Sequence, residues 1–330
     1  MEDVRKRDIS IDLLKFFAVF LIINSHMDLC YPKYSILATG GAIGDCLFLF
    51  ASGYTLFWGR LSRFDDWYKR RVKRIFPSAI VCALVSCLLS WTNSLTVVNL
   101  LGGQFVIFIM IYYILLFYIR KFFGNRILQI LILSFAISVL VYILWFPYKF
   151  ETGSKGLYGI STLYRWVPYF SFMLMGSWIG SKRKDNCLRI NNHTKLWCFL
   201  FIISLTVFYG IQFWSKIDPK IAPWQIITLL PLYLIIYSFF RMCNSDFFNG
   251  IYNSKTGHAL VMTISGLCLE SYLIQYYVFT DRLNWFFPLN IPIMIIMVLI
   301  VSYFCKCLAK VFTQTFANTN YDWREIVRPY

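Results

Sequence analysis

The chain has 330 residues, 58% of them hydrophobic and 15% charged, with a mean hydropathy of +0.60 and a net charge of +16. A water-soluble domain carries about 25% charged residues, so the composition excludes a soluble globular enzyme and predicts an all-α, polytopic membrane protein. The charge alone would suggest nucleic acid as a partner, but its distribution assigns it to membrane topology and no nucleic-acid role is expected.

Apolar stretches near the ~20 residues that cross a bilayer as a helix recur along the sequence. They predict a transmembrane helical bundle of about ten spans, at 11–30, 36–58, 75–92, 97–119, 127–146, 165–180, 196–214, 224–240, 261–280 and 290–308. The first stretch reads as a retained span. Asp12 and Lys15 interrupt it, and Asn24-Ser25-His26 stands where a signal peptide would have small residues at its cleavage site. No Gly/Ser linker, low-complexity tract or internal repeat divides the chain, which predicts a single domain over 1–330.

With the N-terminus inside, the segments 1–10, 59–74, 120–126, 181–195, 241–260 and the tail from 309 hold 23 Lys and Arg residues. The outer connections and their edges hold seven: Lys33, Lys149, Lys155, Arg165, Lys216, Lys220 and Arg282. This positive-inside asymmetry predicts a multi-pass protein of the cell membrane with both termini cytoplasmic. The longest outer loop, 147–164, contains Pro147, Gly153, Gly156 and Gly159; these favour turns, in a loop long enough to cover a cavity. The tail carries Tyr321, Trp323 and Tyr330 and reads as interfacial. The ten cysteines include no C-x-x-C pair, and only Cys30 approaches an outer loop. They read as apolar fillers, with neither a disulfide framework nor a metal site expected.

Polar groups inside spans are costly and mark function or pairing. Asp8, Asp12, Lys15 and His26 follow at spacings of 4, 3 and 11, all compatible with one helical stripe. Lys15 and His26 are separated by ~16 Å of helix rise. Asp45 follows Gly44 in the second span, at about the depth of His26 across a hairpin. There it could hold the second imidazole nitrogen and raise its basicity. Arg165 opens the sixth span, and the ninth carries Glu270, Tyr272 and Gln275.

Four segments resemble membrane-bound acyltransferase family 3, the multipass O-acyltransferases. Ile11-Asp12-Leu13-Leu14-Lys15-Phe16 running to His26 is similar to the family's opening helix, with its basic residue eleven before the histidine. Gly44 through Phe48 to Ser52-Gly53-Tyr54 resembles its G-x-x-x-F-F-x-x-S-G-Y/F stretch. Tyr68 through Lys73-Arg74-Ile75-Phe76-Pro77 is similar to R-x-x-R-I-x-P, and Ile264-Ser265-Gly266 through Tyr272-Leu273-Ile274-Gln275 to the late I-S-x-x-S-x-Y-L-x-H/Q helix. Together with the spans, the likeness covers essentially the whole chain. Lys15 stands where arginine is frequent, Asp45 where the family is usually apolar, and Gln275 where some relatives have histidine.

The resemblance implies acyl-CoA as cytoplasmic co-substrate and a hydroxyl of a cell-surface glycan, or its lipid-linked precursor, as acceptor. O-acetyl transfer is the expected reaction. The residues suit that chemistry. Arg71 and Arg74, at i and i+3, share a helix face and match coenzyme A phosphates in charge and geometry, with Lys15 as a further donor contact. His26 would take the proton of the attacking hydroxyl, and Asn24, Ser52, Tyr54 or Gln275 would donate to the oxyanion. Arg165, Glu270 and Tyr272 complete the candidate substrate contacts.

Each of these residues also has a structural reading. His26 suits a helix-end histidine, Lys15 an ion pair with Asp12, and Ser52-Gly53 close helix packing. Arg165 and Glu270 suit intramembrane counter-ions. The alternative function is a polytopic transporter or flippase of a lipid-linked sugar, although the paired, broken, repeated helices common in transporters are not evident in the sequence.

Overall fold

The computed structural model describes residues 8–59, 61–89, 96–145, 156–159, 163–184, 193–218, 220–317 and 320–328. Arg5, Lys6, Arg7, Arg60, Lys149, Lys155 and Arg189 lie outside them, as do Tyr330 and residues 147–155 and 160–162 of the predicted covering loop. The described residues contain helices and turns and no strand. In order these are α1 (Ile9–Ser25), α2 (Gly41–Trp58), α3 (Phe64–Leu89), α4 (Val97–Leu100), α5 (Gly103–Phe123), α6 (Ile127–Trp145) and α7 (Trp166–Lys184). They continue as α8 (Thr194–Ile217), α9 (Leu229–Cys243), α10 (Asp246–Asn253), α11 (Lys255–Gly266), α12 (Cys268–Val278), α13 (Asn290–Thr315) and α14 (Trp323–Val327).

The chain divides into two compact units, one of 1–14, 45–60 and 118–254, the other of 15–44, 61–117 and 255–330. Helices α1, α2 and α5 contribute residues to both.

In the first unit, α2 and α7 pack backbone to backbone. A Cβ on Gly53 would sit 1.9 Å from the Met173 carbonyl oxygen, and one on Gly176 would sit 2.0 Å from that of Phe50. Ser177 Oγ donates to the Gly53 carbonyl at 3.1 Å. Small residues that admit this approach are how membrane helices gain dispersion contacts without a hydrophobic driving force. The last carbonyls of α2 lack intrahelical donors, and Arg120 supplies them: Nη1 donates to Leu56 at 2.8 Å and Nη2 to Gly59 at 2.6 Å. A guanidinium at a helix C-terminus also faces the negative end of its dipole.

In the second unit α3, α12 and α13 close over Val81, Cys82, Ile274, Cys305 and Ala309. The predicted inner loop 59–74 is largely helical: α3 begins at Phe64, with Asp65 and Asp66 in its first turn, where carboxylates favour the dipole. The basic run is therefore continuous with the spanning helix. The predicted span 97–119 is interrupted at Gly102 and Gly103, whose φ values of 86° and 77° turn the chain from α4 into α5. Only glycine holds two successive left-handed positions without steric cost.

The predicted span 261–280 is also broken. Helices α11 and α12 meet at 69°, immediately after Ser265-Gly266, a pair of the kind that permits sharp kinks. Lys306 Nζ donates to the Gly266 carbonyl at 3.1 Å, satisfying an oxygen that the break leaves open.

Among the described residues six helical stretches are long and apolar enough to cross a membrane, or seven if the bent α11–α12 pair counts as one span. Ten spans are not confirmed. One reason is that α1 has 17 residues, about 25 Å of rise against a hydrocarbon core of ~30 Å. Another is that the 42 residues from Gly103 to Leu144 form one apolar stretch across the turn at Gly124–Arg126.

Candidate active site

The second unit holds His26. Helix α1 ends at Ser25, and the His26 amide donates back to the Ile23 carbonyl at 3.1 Å. The imidazole thus stands half-buried just beyond the helix end. The Tyr276 hydroxyl lies 2.6 Å from Nδ1 and 3.3 Å from Nε2, with ring centroids 4.6 Å apart. A partner at one nitrogen orients the ring, and the tautomer then decides whether the other nitrogen can act as base.

The loop after His26 is held by side-chain amides. Asn24 Nδ2 donates to the carbonyls of Leu37 at 2.8 Å and Thr39 at 2.9 Å, and its Oδ1 accepts from Tyr31 at 2.6 Å. Both hydrogens of Asn24, an expected oxyanion donor, are therefore committed to the loop. Asn284 and Asn290 donate to the carbonyls of Leu29 and Cys30. Cys30 is fully buried, and burial pushes its thiol above the ordinary range, as suits a filler rather than a reactive group. Gly44 is needed for close approach, since a Cβ there would lie 2.7 Å from Ile22 Cγ1 and 3.1 Å from the Ala18 carbonyl oxygen.

Helix α12 carries three of the predicted residues. Glu270 is buried and accepts from Ser78 Oγ at 2.6 Å, while its second oxygen has no hydrogen-bond partner. Lys306 and Arg74 lie within its electrostatic reach. Gln275 is fully buried, and neither its amide nitrogen nor its oxygen has a hydrogen-bond partner among the described residues. The Tyr272 ring packs on Phe105 at 4.8 Å and lines a cavity of about 200 Å³ that Tyr276 also walls.

At the other end of α3, the Arg71 guanidinium lies 4.0 Å above the Trp67 ring and donates to the Trp67 carbonyl at 2.9 Å. Arg74, one turn on, is exposed. Lys15 is half-buried on α1.

Asp45, Ser52, Tyr54 and Arg165 belong to the first unit. The Tyr54 hydroxyl donates to Asp8 at 2.5 Å, and the same carboxylate accepts from Ser10 Oγ at 2.7 Å, which gives Tyr54 a structural bond. Asp12 is buried and accepts from Tyr252 at 3.3 Å. Arg165 is buried with its guanidinium 4.5 Å from the Trp166 ring and within electrostatic reach of Asp45. A buried cation needs such an opposite charge. Ser52 is buried on α2, beside the Gly53 contact with α7.

Sequence reasoning missed Tyr276, Ser78 and the cavity. Tyr272 and Tyr276 stand four apart and so share a helical face, which marks an aromatic stripe. Nothing local ties that stripe to a histidine 250 positions away.

A family model described as an acyltransferase domain matches residues 8–307. The chain belongs to acyltransferase family 3. No curated protein and no solved structure matches it. The match runs through both compact units, from Asp8, just ahead of α1, to Cys307 on α13. Read with the apolar helices, it makes the protein a membrane acyltransferase. His26, Arg71, Arg74 and Tyr276 all fall within the matched region.

Proposed function

We propose that this acyltransferase moves an acyl group, acetyl in the first instance, from cytoplasmic acyl-CoA to a hydroxyl of a cell-surface glycan or its lipid-linked precursor. The observation that carries this reading is the half-buried His26 imidazole held at Nδ1 by Tyr276, whose ring also walls a cavity. With Nδ1 protonated and donating to the tyrosine oxygen, the Nε2 lone pair takes the proton of the acceptor hydroxyl as its oxygen attacks the thioester carbonyl. The carbon–sulfur bond breaks, and the coenzyme A thiolate leaves and takes up the proton from the imidazolium.

Donor binding is assigned to the far end of α3. Arg71 and Arg74 are one turn apart, and twelve residues of helix put Arg74 ~18 Å from Ser86. Phosphates of coenzyme A would meet these guanidinium groups, with Lys15 as a further cation on α1. The charge asymmetry of the connections supports a cell-membrane protein with both termini cytoplasmic, which puts the arginines inside and His26 at the outer end of α1. Among the described residues α11–α12 is the one bent pair long and apolar enough to count as a broken span, whereas transporters use pairs of them in related halves; the family match favours transfer.

Purified protein given labelled acetyl-CoA should label a glycan acceptor, and His26→Ala should abolish the transfer while eluting as the folded wild type does. Full turnover by His26→Ala would remove the imidazole from the reaction.

A further inference from the structure

The cavity beside Tyr276 has a definite construction. Ala79, Ala83 and Ser86 fall at i, i+4 and i+7 on α3, a single stripe of small side chains. Small stripes in membrane helices ordinarily bring two backbones together. Here the stripe faces the rings of Tyr272 and Tyr276 on α12, and the result is an open volume of about 200 Å³. The Phe105 ring, 4.8 Å away, backs Tyr272. Asn99 is also part of the lining.

Binding pockets are largely apolar with a few placed polar groups that fix orientation. A lining of tyrosines, small side chains and an asparagine suits a ring that is apolar on its faces and polar at its edge, which describes a pyranose. An acyl chain would make no use of the polar residues, and an acetyl group would not need the volume. The position along α3 agrees. The cavity runs along α3 from Ala79 to Ser86, from ~8 to ~18 Å of helix rise beyond Arg74, on the Leu89 side of the guanidinium groups assigned to coenzyme A. Tyr276 is shared: its ring walls the cavity and its hydroxyl holds His26.

We propose that this cavity is the acceptor subsite, taking one pyranose ring of the glycan between the small face of α3 and the tyrosine face of α12, so that Tyr276 couples the bound sugar to His26. The inference rests on the acyl-transfer reading. The test is steady-state kinetics of the full-length purified enzyme with acetyl-CoA and a panel of nitrophenyl pyranosides. Ala83→Leu, which fills the cavity, should raise the acceptor KM at least tenfold with the donor KM within twofold of wild type. Asn99→Ala should raise the acceptor KM several-fold, and it stands as the test if Ala83→Leu does not fold. An acceptor KM unchanged in every folded variant overturns the subsite. So does a shift in acyl-chain-length preference with unchanged acceptor KM, which would make the cavity an acyl pocket. Wild-type enzyme that transfers nothing from acetyl-CoA would overturn the acyl-transfer reading itself, a separate outcome.

Discussion

The Tyr276 hydroxyl and Nδ1 of His26 stand 2.6 Å apart, although 250 residues separate them in the chain. One comes from the end of α1 and the other from α12, so the imidazole is oriented by a contact between distant segments of one unit. A phenol orients a histidine ring without the charge that a carboxylate would bring.

Tyr276→Phe keeps the ring that walls the cavity and removes only the hydroxyl. A neutral hydrogen bond contributes about 0.5–1.5 kcal/mol, so the loss should lower kcat up to about tenfold with the donor KM unchanged. His26→Ala should show no further loss when Tyr276→Phe is added. Fully additive effects in that double-mutant cycle would separate the two residues.

Gln275 gives a second expectation. Its amide is fully buried with no hydrogen-bond partner at either atom among the described residues, and an unpaired buried amide costs about 1–3 kcal/mol. Gln275→Met, similar in volume and apolar, should raise the melting temperature in detergent while lowering kcat, if the amide serves the reacting groups. Such opposition between stability and activity is usual where a site holds strain for function. A stabilised variant with unaltered kcat would leave Gln275 without a catalytic part.

How far the sequence foretold this arrangement differs between fold and site. Apolar stretches located the long helices, and came within four residues at both ends for 127–146, 165–180 and 196–214, because hydropathy and length are local properties. The breaks were harder to foresee. Gly102-Gly103 and Ser265-Gly266 stand inside stretches whose hydropathy is uninterrupted, and glycine is common in membrane helices. His26 was legible from its depth and its spacing from Lys15. Its contact with Tyr276 was not legible: Tyr276 is one of 22 tyrosines in an aromatic-rich chain and carries no charge to mark it, whereas the depth argument singles out Asp45. Arg71 was legible as a cation, but its stacking on Trp67 follows from the unforeseen extension of α3 back to Phe64.

That stacking separates the two donor arginines. Arg74 is exposed, so Arg74→Ala should raise the acetyl-CoA KM about tenfold, in keeping with the 1.5–3 kcal/mol of hydrogen bonds to charged groups, with kcat and melting temperature little altered. Arg71→Ala should raise the same KM and also lower the melting temperature, because it removes a cation–π contact and the packing of its stem on Trp67. Arg71→Lys should keep part of the donor affinity yet lose the stacked, planar contact. A donor KM unchanged in both alanine variants would exclude this helix face as the phosphate site.

The α2–α7 crossing should tolerate no added atom. Cβ positions 1.9 Å and 2.0 Å from carbonyl oxygens are impossible without moving a backbone, and both obstacles are main chain rather than flexible side-chain ends. Overpacking a close contact costs typically 1–3 kcal/mol. Gly53→Ala and Gly176→Ala should therefore each lower the melting temperature in detergent by several degrees, and the two losses should be less than additive, since separating the helices for one methyl makes room for the other. Gly210→Ala, where an added Cβ meets nothing within 4 Å, is the matched control in the same unit. It should be neutral or slightly stabilising, because alanine restricts the unfolded chain more than glycine does. Equal melting temperatures for all three variants would mean that the two backbones do not meet at Gly53 and Gly176 in the folded protein.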